Sequence, residues 1–546
     1  MAYQSNVEYL LHHVTQQKEH VYLHQPVEGQ WQTFTWGEVE QQARKIAAAI
    51  KSQNYPAKSR IGILSKNCAQ WFIADLAIMM ADMVSVPIFF NANEKSISHI
   101  IKHSELKAIF VGKLDELESS NAGIPEDVLR ISFPYPTIPA NANWQEWLNE
   151  FEPLDDIYLP KAEENATIIY TSGSTGVPKG VPLTHANIMS AAVCAVDEMK
   201  VKSTDRFMSY LPLAHITERS LIEGVSMVSG CSIYFVESLD TFIDNVKHAK
   251  PTRFISVPRL WLKFQSEILA KIPQRKLEFL LKVPFVGQLI SKKIRKNLGF
   301  ECVERFGSGS APTPPSVIHW YQKLGICLEE GWGMSETSGL SCGNNPFSEQ
   351  DIGTIGRPLS CVEMKLSDED EILIRGEAVF SGYYLNPEAD ENAFADGWFR
   401  TGDRGEVTDT GAFKIIGRLK EEFKTSKGKY VTPAPIEGKL CASSNIELAC
   451  VTGAGLKQPV ALIVLAESAN SNKEGLATEL SQTLAEVNNT LERHQHLDYL
   501  YVCKDIWTIE NGLLTPTLKI KRGSIEDKYG AILTDDLTPA GGVIFE

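Results

Sequence analysis

Long apolar runs are missing from this chain. Its most apolar window, Ile73 to Phe90 (IADLAIMMADMVSVPIFF), is interrupted by Asp75, Asp82 and Pro87, which predicts a buried helix running into a strand and not a membrane span. The first residues, MAYQSNVEYLLHHV, have neither the basic start nor the apolar stretch of a secretory signal, so a cytoplasmic location is expected. Cysteine is sparse and scattered: ten residues with no Cys-x-x-Cys pair and no His cluster at metal spacing. That pattern argues against a disulfide frame or a structural zinc and leaves reduced core thiols. Positive charge is also in short supply, with 53 Lys and Arg against 68 Asp and Glu, a net charge of −15. A nucleic-acid binder dominated by phosphate contacts is thereby disfavoured, whereas a single nucleotide needs only a local cationic loop. Nor is there a Ser/His/Asp or Cys/His signature for nucleophilic catalysis.

What is present is an ordinary folded composition, 43% hydrophobic and 22% charged. With 546 residues, more than one domain is expected, because single cores stop growing near ~250–300 residues. The helix and strand signals of the first ~165 residues alternate. Thr35 and Glu38 form a capping box ahead of Ala43, Ile46, Ala47 and Ile50 at helical spacing, and Arg60–Leu64 and Ala108–Val111 read as strands. This rhythm predicts a parallel sheet covered by helices.

The most informative stretch is Tyr170 to His185, YTSGSTGVPKGVPLTH. A β-branched run, Ala166 to Tyr170, precedes it and reads as a buried strand. Thr171, Ser172, Ser174 and Thr175 then alternate with Gly173 and Gly176, followed by Lys179. Glycine permits close backbone approach, and consecutive N–H groups with hydroxyls and one cation make an anion cradle. It is not a Walker A loop: Pro178 and Gly180 flank the lysine where that motif needs Gly and Ser or Thr.

This stretch resembles the phosphate loop of the AMP-forming adenylating enzymes: acyl-CoA synthetases, luciferases and the adenylation domains of peptide synthetases. The resemblance extends from near Trp36 to Lys519. It implies an α/β fold: a large N-terminal domain of helix-covered mixed or parallel sheets, residues 1–418, and a small mobile α+β C-terminal domain, residues 419–546. In LEEGWGMSET, Gly331 and Gly333 flank Trp332, which would stack on adenine where Tyr is common; Ser335 would hold the α-phosphate; Glu336, with Thr171, would hold Mg²⁺. In RFGSGSAP, Gly307 and Gly309 would edge the acyl pocket and Ser310 and Ala311 the adenine. Asp403 can accept both ribose hydroxyl protons and Arg418 can donate through its fork. Lys420 falls at the family's hinge, Gly428 with Lys427 and Lys429 at its CoA tunnel, and Lys519 at its catalytic lysine. The forms LPLAHITER, with His215 at the mouth of the acyl pocket, and TPTLKIKR are similar to the long-chain fatty acyl-CoA synthetase branch. Asp82 stands where the family usually has glycine.

The implied reaction uses ATP, Mg²⁺ and CoA to convert a medium- or long-chain fatty acid to acyl-AMP and then to a thioester. Two other readings are an adenylating ligase that serves a carrier-protein thiol and a catalytically silent nucleotide- or acyl-binding homologue. The basic, amphipathic residues 275–298 are either a solvated helical face or a peripheral contact with anionic lipid at the inner membrane surface.

Overall fold

The structure, a computed structural model, describes residues 5–172, 177–467, 469, 472–534, 537 and 542–546, with the backbone alone at Ser172 and Lys473. Three sheets and their helices make up most of the large domain. The widest has seven strands in the order Ala142–Asn143, Leu129–Ser132, Ala108–Val111, Arg60–Leu64, Val84–Ile88, Asn165–Ser172, Pro178–Thr184. All pair in parallel except the last two, which form an antiparallel hairpin. The expected parallel sheet is therefore mixed at one edge. The second sheet carries Arg253–Ser256, Arg305–Gly309 and Leu328–Met334 in parallel, then Gly339–Gly343 and Arg357–Pro358 antiparallel. The third pairs Arg206–Ser209, Ser232–Phe235, Val21–Val27 and Gln30–Thr35.

Local signals explain the helices. Thr35 accepts from the Glu38 N–H and Glu38 reaches back to the Thr35 N–H, which caps Trp36–Ser52. Thr184 and Asn187 do the same for His185–Met199. The apolar window becomes helix Ala69–Met80, buried throughout, and strand Val84–Ile88. Asp82, between them, has a left-handed backbone at φ +64° and pairs with Lys58 at 2.6 Å, so the family's usual glycine is replaced by a residue whose charge is satisfied locally.

An antiparallel sheet of Val362–Leu366, Glu371–Gly376, Trp398–Val407 and Phe413–Arg418 leads out of the large domain. Beyond it, Ile446–Thr452, Val460–Leu465, Leu500–Val502 and Val543–Phe545 form the sheet of the small domain. Separate apolar clusters, one around Val451 and Leu480 and one around Leu462 and Trp507, cover it. The run from Phe423 to Val431 reads in sequence as a hairpin turning near Gly428, and Phe423–Lys424 and Tyr430–Val431 pair as one. Thr432, with Pro433 after it, reads in sequence as a helix cap; it precedes helix Pro433–Leu440 without a side-chain cap, because its hydroxyl donates to Glu422 at 3.0 Å. Among the described residues no cysteine is in a disulfide, and no helix is long and apolar enough to cross a membrane.

Candidate active site

The predicted phosphate loop joins two antiparallel strands, so Thr171 lies opposite Lys179 in register. Gly173, Ser174, Thr175 and Gly176, and the side chain of Ser172, fall outside the described residues. The Lys179 ammonium sits 5.1 Å from the centroid of the Tyr383 ring, and the Tyr383 hydroxyl donates to Glu336 Oε1 at 2.9 Å. Glu336 occupies a buried single turn, Ser335–Thr337, at the end of strand Leu328–Met334. Burial pushes its carboxyl up, while the Tyr383 hydroxyl and the charges of Arg418 and Lys179 oppose the rise.

Strand pairing also places Asp403 opposite Arg418. Arg418 Nε lies 2.9 Å from Asp403 Oδ1 as an ion pair, and Asp403 Oδ2 is buried without a hydrogen-bond partner. Burial raises the Asp403 carboxyl and the Arg418 charge counteracts it; Asp403 in turn holds Arg418 above its ordinary value. An orphaned carboxylate oxygen beside an anchored one fits a ligand hydroxyl as donor.

Lys519 arrives from the small domain. Its loop is closed by Thr515 N to Lys519 O at 2.8 Å and Lys519 N to Thr515 Oγ1 at 3.1 Å, with Leu518 left-handed at φ +60°. Asn91 of the large domain donates to Pro516 O at 3.1 Å and holds the loop in place. Lys519 and Arg418 expose side-chain surface to the cleft, yet protein surrounds them. Burial, then the Arg418 charge, lowers the Lys519 pKa, and Asp403 and Glu421 oppose that. Lys519 also acts on His215, which burial first and this cation second push down to about 3. His215 is thus a neutral imidazole whose Nδ1 accepts from Thr217 N at 3.2 Å.

Beside the cleft a cavity is lined by Gly307, Gly309, Ser310, Gly331, Trp332 and Gly333, and Thr217, which also lines it, meets the Ser310 hydroxyl at 3.2 Å. Ala311, predicted beside the adenine, is exposed one residue beyond. Lys427, Gly428 and Lys429 sit at the exposed tip of their hairpin; Lys427 donates to Gln458 of the same domain at 3.2 Å and Gly428 has φ +71°. Lys420 is exposed in the turn between the domains. The sequence reading missed Tyr383, which couples Lys179 to Glu336. It also missed Glu330, which accepts from Thr313 N at 2.7 Å and whose carboxyl burial raises to about 7. The one available signal for Tyr383 was the tyrosine pair after Gly382.

Cations from three separate segments (Lys179, Arg418 and Lys519) thus face two carboxylates, Glu336 and Asp403. Such a cleft can hold polyanionic phosphates and neutralise charge that develops on them. Among the described residues no group of three or more His, Cys, Asp or Glu could hold a metal alone. A lone Glu336 suits a hard cation that takes its other ligands from phosphate and water.

Comparison with known proteins fits this geometry. Residues 10–384 match the AMP-binding enzyme family, and residues 422–532 match the AMP-binding enzyme C-terminal domain. The chain belongs to the AMP-binding enzymes. It is 29% identical to the long-chain-fatty-acid–CoA ligase FadD15 of Mycobacterium bovis, over 95% of this chain and 94% of that one. It is 30% identical to long chain acyl-CoA synthetase 7, peroxisomal, of Arabidopsis thaliana, over 90% and 80% of the two chains. Its fold is similar to that of O-succinylbenzoate coenzyme A synthetase from Bacillus subtilis in complex with AMP, with a TM-score of 0.76, 21% identity and coverage of 96% and 98%. It is also similar to the adenylation domain of a carboxylate reductase from Mycobacterium chelonae, with a TM-score of 0.81, 20% identity and coverage of 97% and 90%.

Proposed function

We propose that this protein is an ATP-dependent fatty acyl-CoA ligase acting on medium- or long-chain acids. Its similarity to long-chain acyl-CoA ligases over nearly its whole length supports the reaction class. The observation that carries the mechanism is the docking of the Lys519 loop of the small domain on Asn91 of the large one, which brings Lys519 within electrostatic reach of Asp403 and Arg418. In the first step the fatty carboxylate attacks the α-phosphorus of ATP, acyl-AMP forms and pyrophosphate leaves. In the second the CoA thiol attacks the acyl carbonyl and AMP leaves.

Each residue has a role in that scheme. Asp403, with one oxygen anchored and one free, takes the ribose hydroxyls. Trp332, at the head of the cavity, stacks on adenine, flanked by Gly331, Gly333, Ser310 and Ala311. Lys179, Lys519, Ser335 and the loop from Thr171 to Gly176 surround the phosphates, which lets one anion attack another. Glu336 and the Thr171 hydroxyl would hold Mg²⁺, which when bound supplies further neutralisation of the phosphates. His215, Gly307 and Gly309 border the acyl chain.

The domain boundary falls at 418–420. Rotation about Lys420 would withdraw Lys519 and bring Lys427, Gly428 and Lys429 to the thioester-forming face. Lys420→Pro should then trap one face, and unimpaired overall turnover by that variant would refute the hinge. The functional reading itself is tested by fatty-acid-dependent exchange of labelled pyrophosphate into ATP, followed by thioester formation with CoA or with a carrier-protein thiol. ADP and orthophosphate as products, or no exchange with any carboxylate, would sink it.

A peripheral lipid contact is also proposed, at helices Gln274–Lys282 and Val286–Asn297. Phe279, Phe285 and Leu289 there are 68%, 79% and 68% exposed, and Arg275, Lys276, Lys282, Lys292, Lys293 and Lys296 are exposed around them. Phe285 has a positive φ of +63° at the tip between the two helices. Apolar side chains collared by cations suit an anionic lipid surface. Co-sedimentation with anionic vesicles at low salt, weakened by added salt, is expected; no binding at low salt would end this proposal.

A further inference from the structure

Resting on the fatty-acid reading above, we propose that the acyl cavity ends on an ion-paired floor of Arg305, Glu329 and Asn345, which limits straight chains to about ten to twelve carbons. The register of the sheet carries the argument. Arg253, Ile255 on one strand face Arg305, Gly307 on the next, and Gly307 and Gly309 face Glu329 and Gly331 on the third. Alternate residues of a strand share a face. One face therefore runs from Gly309 and Gly331, beside Trp332, through Gly307 to Arg305 and Glu329, and all of these line a single cavity.

The glycines make the groove. A Cβ at Gly331 would stand 2.6 Å from Leu340 Cδ1, and one at Gly309 would stand 2.8 Å from the Gly331 carbonyl oxygen. Leu221 and Met199 form part of the facing wall. At the far end the character changes abruptly. Arg305 Nε lies 3.3 Å from Glu329 Oε1, its Nη1 donates to Glu198 O at 3.3 Å and its Nη2 donates to Asn345 Oδ1. Asn345 Nδ2 returns to Glu198 O at 2.8 Å. Arg253, beside Arg305 in register, is engaged by Asp205 at 3.2 Å. An alkyl terminus driven into this cluster would have to separate paired ions without offering them hydrogen bonds.

The length follows from backbone geometry. Four residues of strand from Gly309 to Arg305 span about 13 Å at ~3.3 Å each. A zigzag alkyl chain with bonds of ~1.5 Å advances about 1.25 Å per bond. About ten bonds fit, or ten to twelve carbons with the carboxyl group at the Gly309 end.

The test measures kcat/KM for pyrophosphate release with saturated acids from C6 to C18. For the native protein kcat/KM should rise about fourfold per methylene, peak at C10–C12 and fall at least tenfold by C16. The Arg305→Met/Glu329→Leu double variant removes both ions together, so neither is left unpaired, and should raise the C16-to-C8 ratio of kcat/KM at least tenfold. Should that variant fail to fold, Gly307→Val tests the same path from its midpoint, where a Cβ meets Ile255 Cγ1 at 3.2 Å; it should lower the C12-to-C8 ratio at least tenfold. A native profile that peaks at C16 or beyond, or a folded double variant with an unchanged ratio, overturns the floor while leaving the ligase reading intact. If no straight-chain acid releases pyrophosphate, the ligase reading fails and the floor falls with it.

Discussion

Replacing Lys519 by alanine removes a cation that the small domain carries to the cleft, on a loop whose Pro516 carbonyl accepts from Asn91 of the large domain. An ammonium about 4 Å from a phosphate oxygen, at an effective dielectric constant of ~20, contributes about 4 kcal/mol, or nearly 10³ in rate. Water entering the truncated site recovers part of this, so a fall of about 10²–10³ in adenylation is expected, the range seen when one preorganised donor is deleted. The assay separates the half-reactions: pyrophosphate exchange for the first, and release of acyl-CoA from supplied acyl-AMP and CoA for the second. Adenylation should fall by that factor, while thioesterification changes by less than about threefold, because the proposed rotation about Lys420 would take Lys519 out of the site. A pH arm makes the argument sharper. Burial and Arg418 lower the Lys519 pKa, and the working form is the ammonium, present below that pKa. Adenylation should therefore decline on the alkaline side, earlier than an unperturbed lysine would dictate. Lys519→Arg, charged at all these pH values, should lack that decline even if slower overall. Equal loss of both half-reactions in the alanine variant, or an unchanged alkaline decline in the arginine variant, would refute the reasoning.

Tyr383→Phe deletes the hydroxyl that favours the Glu336 carboxylate. With that donor gone the Glu336 pKa rises further, so the acidic limb of the adenylation pH–rate profile should move to higher pH; an unmoved limb would detach Tyr383 from the site. Asp403→Asn leaves Arg418 without its carboxylate partner and weakens the proposed ribose acceptor, so the KM for ATP should rise about 10- to 100-fold, roughly 1.4–2.8 kcal/mol. Fluorescence titration with ATP measures the same loss as binding. Arg219, 2.8 Å from Asp75 and 3.2 Å from Glu223 in a fully buried cluster, lies away from the cleft's titrating groups. Arg219→Met leaves the buried Asp75 without its partner cation and should lower stability by about 3–5 kcal/mol, read as an earlier first transition in urea.

Features set within a few residues of one another were legible in the sequence. The capping box at Thr35, the strand before Thr171, the hairpin around Gly428 and the helix–strand passage from Ala69 to Ile88 all follow from short-range hydrogen bonding and apolar periodicity. Even there, Thr432 bonded to Glu422 and left its helix uncapped, because a competing acceptor lay within reach. The antiparallel return of Pro178–Thr184 was not legible, since strand direction depends on partners and not on the strand's own residues.

The motifs of the chain, taken alone, determined the reaction class and named most of the charged residues around the cleft. Only the tertiary structure decided that Tyr383 bridges Lys179 to Glu336, that one oxygen of Asp403 is left free, and that Arg305 pairs with Glu329 on the strands that carry Gly307 and Gly331. The physical reason is that a residue's type travels with the sequence, whereas its partners, its burial and its pKa are set by distant segments that meet only when the sheets have formed.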